Sequence, residues 1–165
     1  MPIPLRDCIS GKFRDGTVRR FVFFAAVAFW LGGFTFYSGI VIHVGIRVLG
    51  GHLRQGLITQ QVTNWLNLIG AIALPIMLWN TASIWSSRGP VARFFLAATW
   101  LAMAAVQVEL FALHPLLDRL LDAPGRAILN YDRFDTLHRL YLLSATFQWG
   151  AGVVHVWWAV SGTQT

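Results

Sequence analysis

The sequence predicts an all-α integral membrane protein, an up-down bundle of four helices with a short interfacial helix between the third and fourth. Three observations predict it. Phe21 to Ile42 is a run of 22 residues without a charge, about 33 Å of helix at ~1.5 Å per residue against a hydrocarbon core of about 30 Å. Three further apolar stretches follow, separated by Gly, Pro and charged residues. Only 12% of the 165 residues are charged and 56% are hydrophobic, where soluble domains carry about 25% charge. A soluble core protein and a disordered chain are both excluded.

Residues 1–20 read as a basic tail, with Arg6, Lys12, Arg14, Arg19 and Arg20 outweighing Asp7 and Asp15. Pro2, Pro4, Gly11 and Gly16 argue against a long helix there. Residues 21–160 form the transmembrane domain, and 161–165 a short C-terminal tail. The first apolar run is too long, and its charged leader too long, for a cleaved signal peptide, so it is expected to stay as an anchor. Cys8 is the single cysteine, so no internal disulfide forms, and no apolar stretch precedes it as in a lipoprotein signal.

The first span, Phe21–Leu49, carries Ala28, Gly32, Thr35 and Gly39 at helical spacing, predicted to let a neighbouring helix approach closely. Thr35, Gly39, His43 and Arg47 share one stripe at i+4 spacing, expected to face the bundle. Gly50-Gly51 ends the span, and residues 52–61 form a short polar link, partly helical at the interface. The second span runs from about Val62 to Ile84, with Pro75 tending to kink it. Ser86 to Pro90 is a tight turn, and the third span runs from about Val91 to Leu113.

Pro115 suits the first position of a new helix. Leu116, Leu117, Leu120 and Leu121 oppose Asp118, Arg119 and Asp122, as in an amphipathic helix lying at the interface. The fourth span starts at Asp132, read as its N-cap, and continues to Val160. Tyr141, Gln148 and His155 repeat every seven residues and so share one face.

Four crossings put both termini on one side. Five basic residues before the first span place that side in the cytoplasm, in a bacterial inner (plasma) membrane. The net charge of +6 sits beside the crossings, where it meets anionic lipid headgroups. The lipid bilayer is therefore the expected partner, with a membrane protein or a second copy beside it, and nucleic acid is not.

Chemistry concentrates near the outer face. Glu109 lies 18 residues from Val91, roughly 27 Å along a helix, and is the one acidic residue inside a span. His43 ends the first span at that level, and His138 lies a turn inside the fourth. His43, Glu109 and His138 together offer nitrogen and oxygen ligands for zinc, iron or copper. Arg47, Asn64, Asn67, His114 and Arg139 extend the polar cluster, with His114 at the surface. Because an ionised carboxylate in hydrocarbon is costly, Glu109 is expected to hydrogen-bond one of His43, His138, Arg47, Arg139, Asn64 or Asn67. The alternative for the whole cluster is interhelical hydrogen bonding without a ligand. His155 has no second histidine at its depth to complete a haem pair, whereas His43 and His138 share a level.

G-x-S-x-G, P-loop and G-x-G-x-x-G patterns are absent, and Met1, Met77 and Met103 are too few for a methionine-lined copper path. Trp65, Trp79, Trp85, Trp157 and Trp158 read as an interfacial belt.

Three stretches, FWLGGFTFYSG, VLGGHLRQGLITQQVTNWLNLIG and LHRLYLLSATFQW, resemble a family of bacterial four-helix integral membrane proteins of unknown function. The W-L-G-G element is more distantly similar to copper-resistance-D-type membrane proteins. The resemblance implies a fold and a membrane location and brings no activity. Two readings follow. The first is a non-enzymatic membrane protein acting through lipid or partner contacts, with no cofactor. The second is a protein that binds or transports a metal ion or haem through the His/Glu cluster.

Overall fold

A computed structural model describes residues 5–122 and 127–161, with side chains over 16–121 and 128–161. Among the described residues the chain forms four helical rods, with one two-residue antiparallel pairing between the third and fourth. The first rod is compound: α1 (Leu5–Phe36) passes through one π turn (Tyr37–Val41) into α2 (Ile42–Leu49). Then come α3 (His52–Ile84), α4 (Pro90–Asp118) and α5 (Tyr131–Val160). Three rods, Gly16–Leu49, His52–Ser87 and Pro90–Asp118, are long and apolar enough to cross a membrane.

Each boundary has a local cause. Gly50 adopts φ 71°, the left-handed conformation that ends a helix and that glycine takes without a Cβ clash. A 3-10 turn (Trp85–Ser87) and Gly89 precede Pro90 at the first position of α4, where the missing N–H costs nothing. The N-cap of α5 is Asn130, whose Oδ1 accepts the Arg133 N–H at 3.0 Å. Asp132, expected in that role, instead sits in the first turn.

Three expectations about helix extent change. α1 starts at Leu5, so Gly11 and Gly16 do not interrupt it. Residues 52–61 form the opening turns of α3, not a link. The separate interfacial helix beginning at Pro115 is absent, because α4 runs through Pro115 to Asp118. A proline in the last turn removes one helical donor there without breaking the rod. Beyond it, Leu121 and Asp122 pair antiparallel with Ile128 and Ala127.

The packing is that of a polar-threaded helical interior with an apolar exterior. Phe21 is 72% exposed, and Phe29, Val108, Leu143 and Trp157 are also exposed. Meanwhile Gln55, Asn67, Asn80, Thr81, Gln107, His114, Gln148 and His155 are buried. α4 packs most extensively on α5, and α1 on α3. One apolar cluster joins four rods through Phe23, Val27, Trp30, Leu74, Met77, Leu96, Met103 and Ala159. A second lies between α4 and α5, around Leu110, Leu113, Leu117 and Tyr141.

Close approach is made by glycines other than those expected. A Cβ on Gly70 would stand 2.7 Å from Gln107 Oε1 and 2.8 Å from Trp30 Nε1, and one on Gly152 would stand 3.0 Å from Leu31 Cδ2. A Cβ on Gly45 would run into the Gln55 side-chain amide. By contrast, Gly32 and Gly39 have nothing within 4 Å of a built Cβ, and Ala28 and Thr35 are exposed. The stripe Ala28, Gly32, Thr35, Gly39 therefore points outward, contrary to expectation. Thr35 alone reaches a neighbour, accepting the Trp149 indole N–H at 3.0 Å.

The reason lies in which face of α1 is apolar and large. Phe23, Val27, Trp30 and Tyr37 take the inward stripe, and the π turn carries it on. There the Ile42 N–H bonds to the Tyr37 carbonyl, five residues back, so the inward face passes from Tyr37 to Ile42 and Ile46. Small residues at helical spacing fit a tight interface, but large apolar residues one position away bury more area.

Candidate functional site

Polar side chains are layered along the assembly, and each layer is built by two or three helices. At one end His155 is fully buried, its Nε2 3.0 Å from Thr81 Oγ1 and its Nδ1 2.9 Å from Thr99 Oγ1. Thr99 also donates to the Phe95 carbonyl at 2.6 Å. With that hydrogen used, the ring donates from Nδ1 to Thr99 and accepts from Thr81 at Nε2, a neutral arrangement with both nitrogens satisfied. α3, α4 and α5 are thereby joined at one point.

In the middle, Gln148 Nε2 donates to Gln107 Oε1 at 3.0 Å and to the Met103 carbonyl at 3.0 Å. Gln107 Nε2 donates to the Asn67 carbonyl at 3.1 Å, and Tyr141 Oη donates to Asn67 Oδ1 at 3.0 Å. Asn67 Nδ2 is buried without a partner among the described residues. The shared face of Tyr141, Gln148 and His155 expected from their spacing is present, since all three are buried on α5.

Above that layer the interior opens into a cavity of about 490 Å³. Ile42 and Ile46 of α2, the first turns of α3, the last turn of α4 and the first turns of α5 wall it. His114 organises one wall. Its Nδ1 lies 3.1 Å from Asp118 Oδ2, one turn on. Its Nε2 lies 3.0 Å from Thr63 Oγ1 and 3.2 Å from the Gln60 carbonyl. Tyr141 meets the imidazole edge-on, 6.2 Å between ring centroids.

Gln55 and Thr59 continue the polar wall, and Tyr37, turned inward beside the π segment, donates to Thr59 Oγ1 at 2.9 Å. His138, stacked on Phe134 at 5.5 Å and 9°, and His52 line the cavity elsewhere. Leu53, Leu117, Leu121, Ile128 and Leu142 supply its apolar lining.

The line Thr63–His114–Asp118 has the order of a hydroxyl–imidazole–carboxylate relay. Thr63, however, gives its hydrogen to the Thr59 carbonyl at 2.8 Å, an ordinary helix-internal bond. The wall therefore offers donors and acceptors to a bound polar group, with no hydroxyl aimed as a nucleophile.

The residues expected as metal ligands are not brought together. His43 is exposed on α2. Glu109 is half-buried and accepts the Ser144 hydroxyl at 2.9 Å. Only His138 lines the cavity. Among the described residues no three His, Cys, Asp or Glu side chains converge as a metal ion requires. Glu109 does find a partner on another helix, but it is Ser144, none of the six expected. The hydroxyl satisfies one acceptor site of the carboxylate, and no basic side chain pairs with it among the described residues.

Of the wider cluster, Asn67 and His114 face inward and Asn64 outward. Arg139 pairs with Asp135 on its own helix at 2.8 Å, and Arg47 Nε donates to the His43 carbonyl at 3.4 Å. Sequence reasoning missed His52, Gln55, Thr63 and Asp118. The available signal was the four-residue spacing of His114 and Asp118, visible once the helix is continued through Pro115. No family model, no curated protein and no solved structure matches the chain.

Proposed function

We propose that this chain is a four-span up-down bundle of the bacterial plasma membrane that binds a small amphipathic molecule in the cavity around His114 and performs no chemistry on it. The cavity carries the reading. A space of about 490 Å³ has one wall of hydrogen-bonding groups fixed by each other and another of Leu, Ile and Phe. That combination suits a ligand with a polar head and an apolar body. Polar groups facing a void inside a membrane helix assembly are expensive unless they serve a ligand.

The fourth crossing rests on the two-sidedness of α5. Its polar residues Gln148 and His155 are buried, and Leu143, Phe147 and Trp157 are exposed, the distribution lipid demands. Both termini are assigned to the cytoplasm by the five basic residues before Phe21. The outward face of Ala28, Gly32 and Gly39 is where a second copy or another membrane helix would approach. The resemblance of the first and fourth spans to bacterial four-helix membrane proteins accords with this reading.

Melting of the purified protein in detergent against a panel of small amphiphiles tests the binding. A ligand at a hundredfold its Kd should stabilise the protein by about 2.7 kcal/mol, and Ile46→Trp, which narrows the cavity, should diminish the gain. If no compound shifts the parent more than the variant, the cavity is not a binding site. Reporter fusions after Thr165 and within residues 118–130 should report opposite sides, whereas three crossings would put them on the same side. Elemental analysis and absorbance of the same preparation test the metal or haem alternative, for which one ion or haem per chain is the deciding signal.

A further inference from the structure

The end of the assembly opposite the cavity has a charge imbalance. Arg19, Arg20, Arg88 and Arg93 gather where α1 enters, α3 turns into α4 and α5 ends. No Asp or Glu occurs anywhere in residues 16–108 or 136–161. Arg88 is only 5% exposed and donates from Nη2 to the Ala159 carbonyl, at the negative end of the α5 dipole. Among the described residues its Nε and Nη1 are buried without partners, and so is Arg19 Nε. Guanidinium groups left this way attract a compact, doubly accepting anion, and phosphate matches their fork.

An apolar groove of about 360 Å³ runs between α1 and α3. Ala25 and Ala26 of α1 and Ala73 of α3 line it, together with the larger Phe21, Phe29 and Ile72. Alanines facing alanine across the seam leave a channel that larger side chains on either side do not fill. Arg19 lies three residues before Val22 and seven before Ala26, on the same stripe of α1, so it stands at the groove's mouth. On α3 the wall continues from Ile76 to the exposed Trp79, an aromatic of the kind that sits at headgroup level.

We propose that this groove is a binding site for one anionic phospholipid, with an acyl chain along Ala25, Ala26 and Ala73 and its phosphate against Arg19. Two features place a lipid there over any other occupant: the channel is wholly apolar, and Arg19 at its mouth has a buried Nε without a partner among the described residues. Basic pockets between membrane helices recognise headgroups in this way. The site is separate from the cavity around His114 and does not depend on what that cavity binds.

The test uses the full chain in a neutral detergent, with phosphatidylglycerol or phosphatidylcholine of identical acyl chains, read by native mass spectrometry and by melting temperature. One phosphatidylglycerol should be retained in preference to phosphatidylcholine. Arg19→Gln should lower that preference at least about tenfold, the loss expected for one charge-assisted hydrogen bond, and Arg19→Lys should lower it less. Ala25→Phe, at an exposed position, should remove retention of both lipids without changing the lipid-free melting temperature. Arg93→Gln, whose guanidinium bonds the Trp85 and Ser86 carbonyls instead, should leave the preference intact.

Equal retention of the two lipids, or an unchanged preference in Arg19→Gln, would overturn the proposal. Stabilisation by inorganic phosphate equal to that by phosphatidylglycerol would make this an anion site without a lipid. A dimer that Ala25→Phe dissociates would show a second copy in the groove. Either of these results also rejects the assignment. Should Arg19→Gln fail to fold, Ala25→Phe decides alone.

Discussion

The two ends of the molecule bury polar side chains in opposite ways. Around His155 the polar groups saturate one another: both ring nitrogens meet threonine hydroxyls, and Met77 and Leu96, both 0% exposed, close the space around them. Around His114 the same kinds of group bond each other along one wall and face empty volume on the other side. A buried histidine between two threonines is a fastening. One held by Asp118, Thr63 and Gln60 at the edge of a cavity belongs to a wall with open space beside it. Burial alone does not separate these roles; what lies on the unbonded side does.

Breaking the closed end should have the largest effect. His155→Ala removes a fully buried ring and leaves two hydroxyls facing a cavity, at an expected cost of about 3 kcal/mol, read as lowered thermal stability in detergent. Gly70→Ala should follow. Its Cβ would displace the Gln107 amide and the Trp30 indole together, for about 2 kcal/mol. At the open end, His114→Ala should cost less than His155→Ala, because the cavity already exists and one interhelical bond in such an assembly is worth about 0.6 kcal/mol. It should, however, abolish ligand-induced stabilisation. The smallest effect is expected from Gly32→Leu and Gly39→Leu, which add side chains on the outward face and should stay within about 0.5 kcal/mol of the parent. If His114→Ala destabilises as much as His155→Ala, the contrast between the ends fails. If Gly32→Leu does so, the outward assignment of that face fails.

Much of the fold was legible. The uncharged run from Phe21, the glycines at 50–51 and the Gly-Pro turn at 89–90 locate helices and breaks through strong local physics. The buried stripe of Tyr141, Gln148 and His155 was visible because seven residues make two turns of one straight helix. The rotation of α1 was not legible, since small residues and large apolar residues each offer a plausible interface and only the neighbouring helix decides between them. Nor was the site. His114 was read as a surface residue because Pro115 looked like the start of a new helix. Thr63 and Gln55 carry no signal until α3 is known to begin at His52. Matching His43, Glu109 and His138 by depth ignored azimuth, and residues at one level of four helices can still face four directions.

The π turn at Tyr37–Val41 has a mechanical meaning. It is one surplus residue in an otherwise regular rod, and one residue of α-helix corresponds to a rotation of about 100°. The two halves of the first rod are thus clocked independently: Phe23, Val27 and Trp30 are indexed to the closed end, and Ile42 and Ile46 to the open one. Deleting Gly39 would leave Ile42 one regular turn from Tyr37 and keep the cavity wall, whereas inserting one further residue after Gly39 should turn Ile42 and Ile46 by about 100° out of that wall. The packing of Trp30 against Gly70 and Gly152 would stay in place. The insertion variant should melt close to the parent and fail to respond to any cavity ligand, and a large fall in melting temperature would mean the halves are coupled after all. A single further residue would then be the setting that decides whether the cavity has its wall.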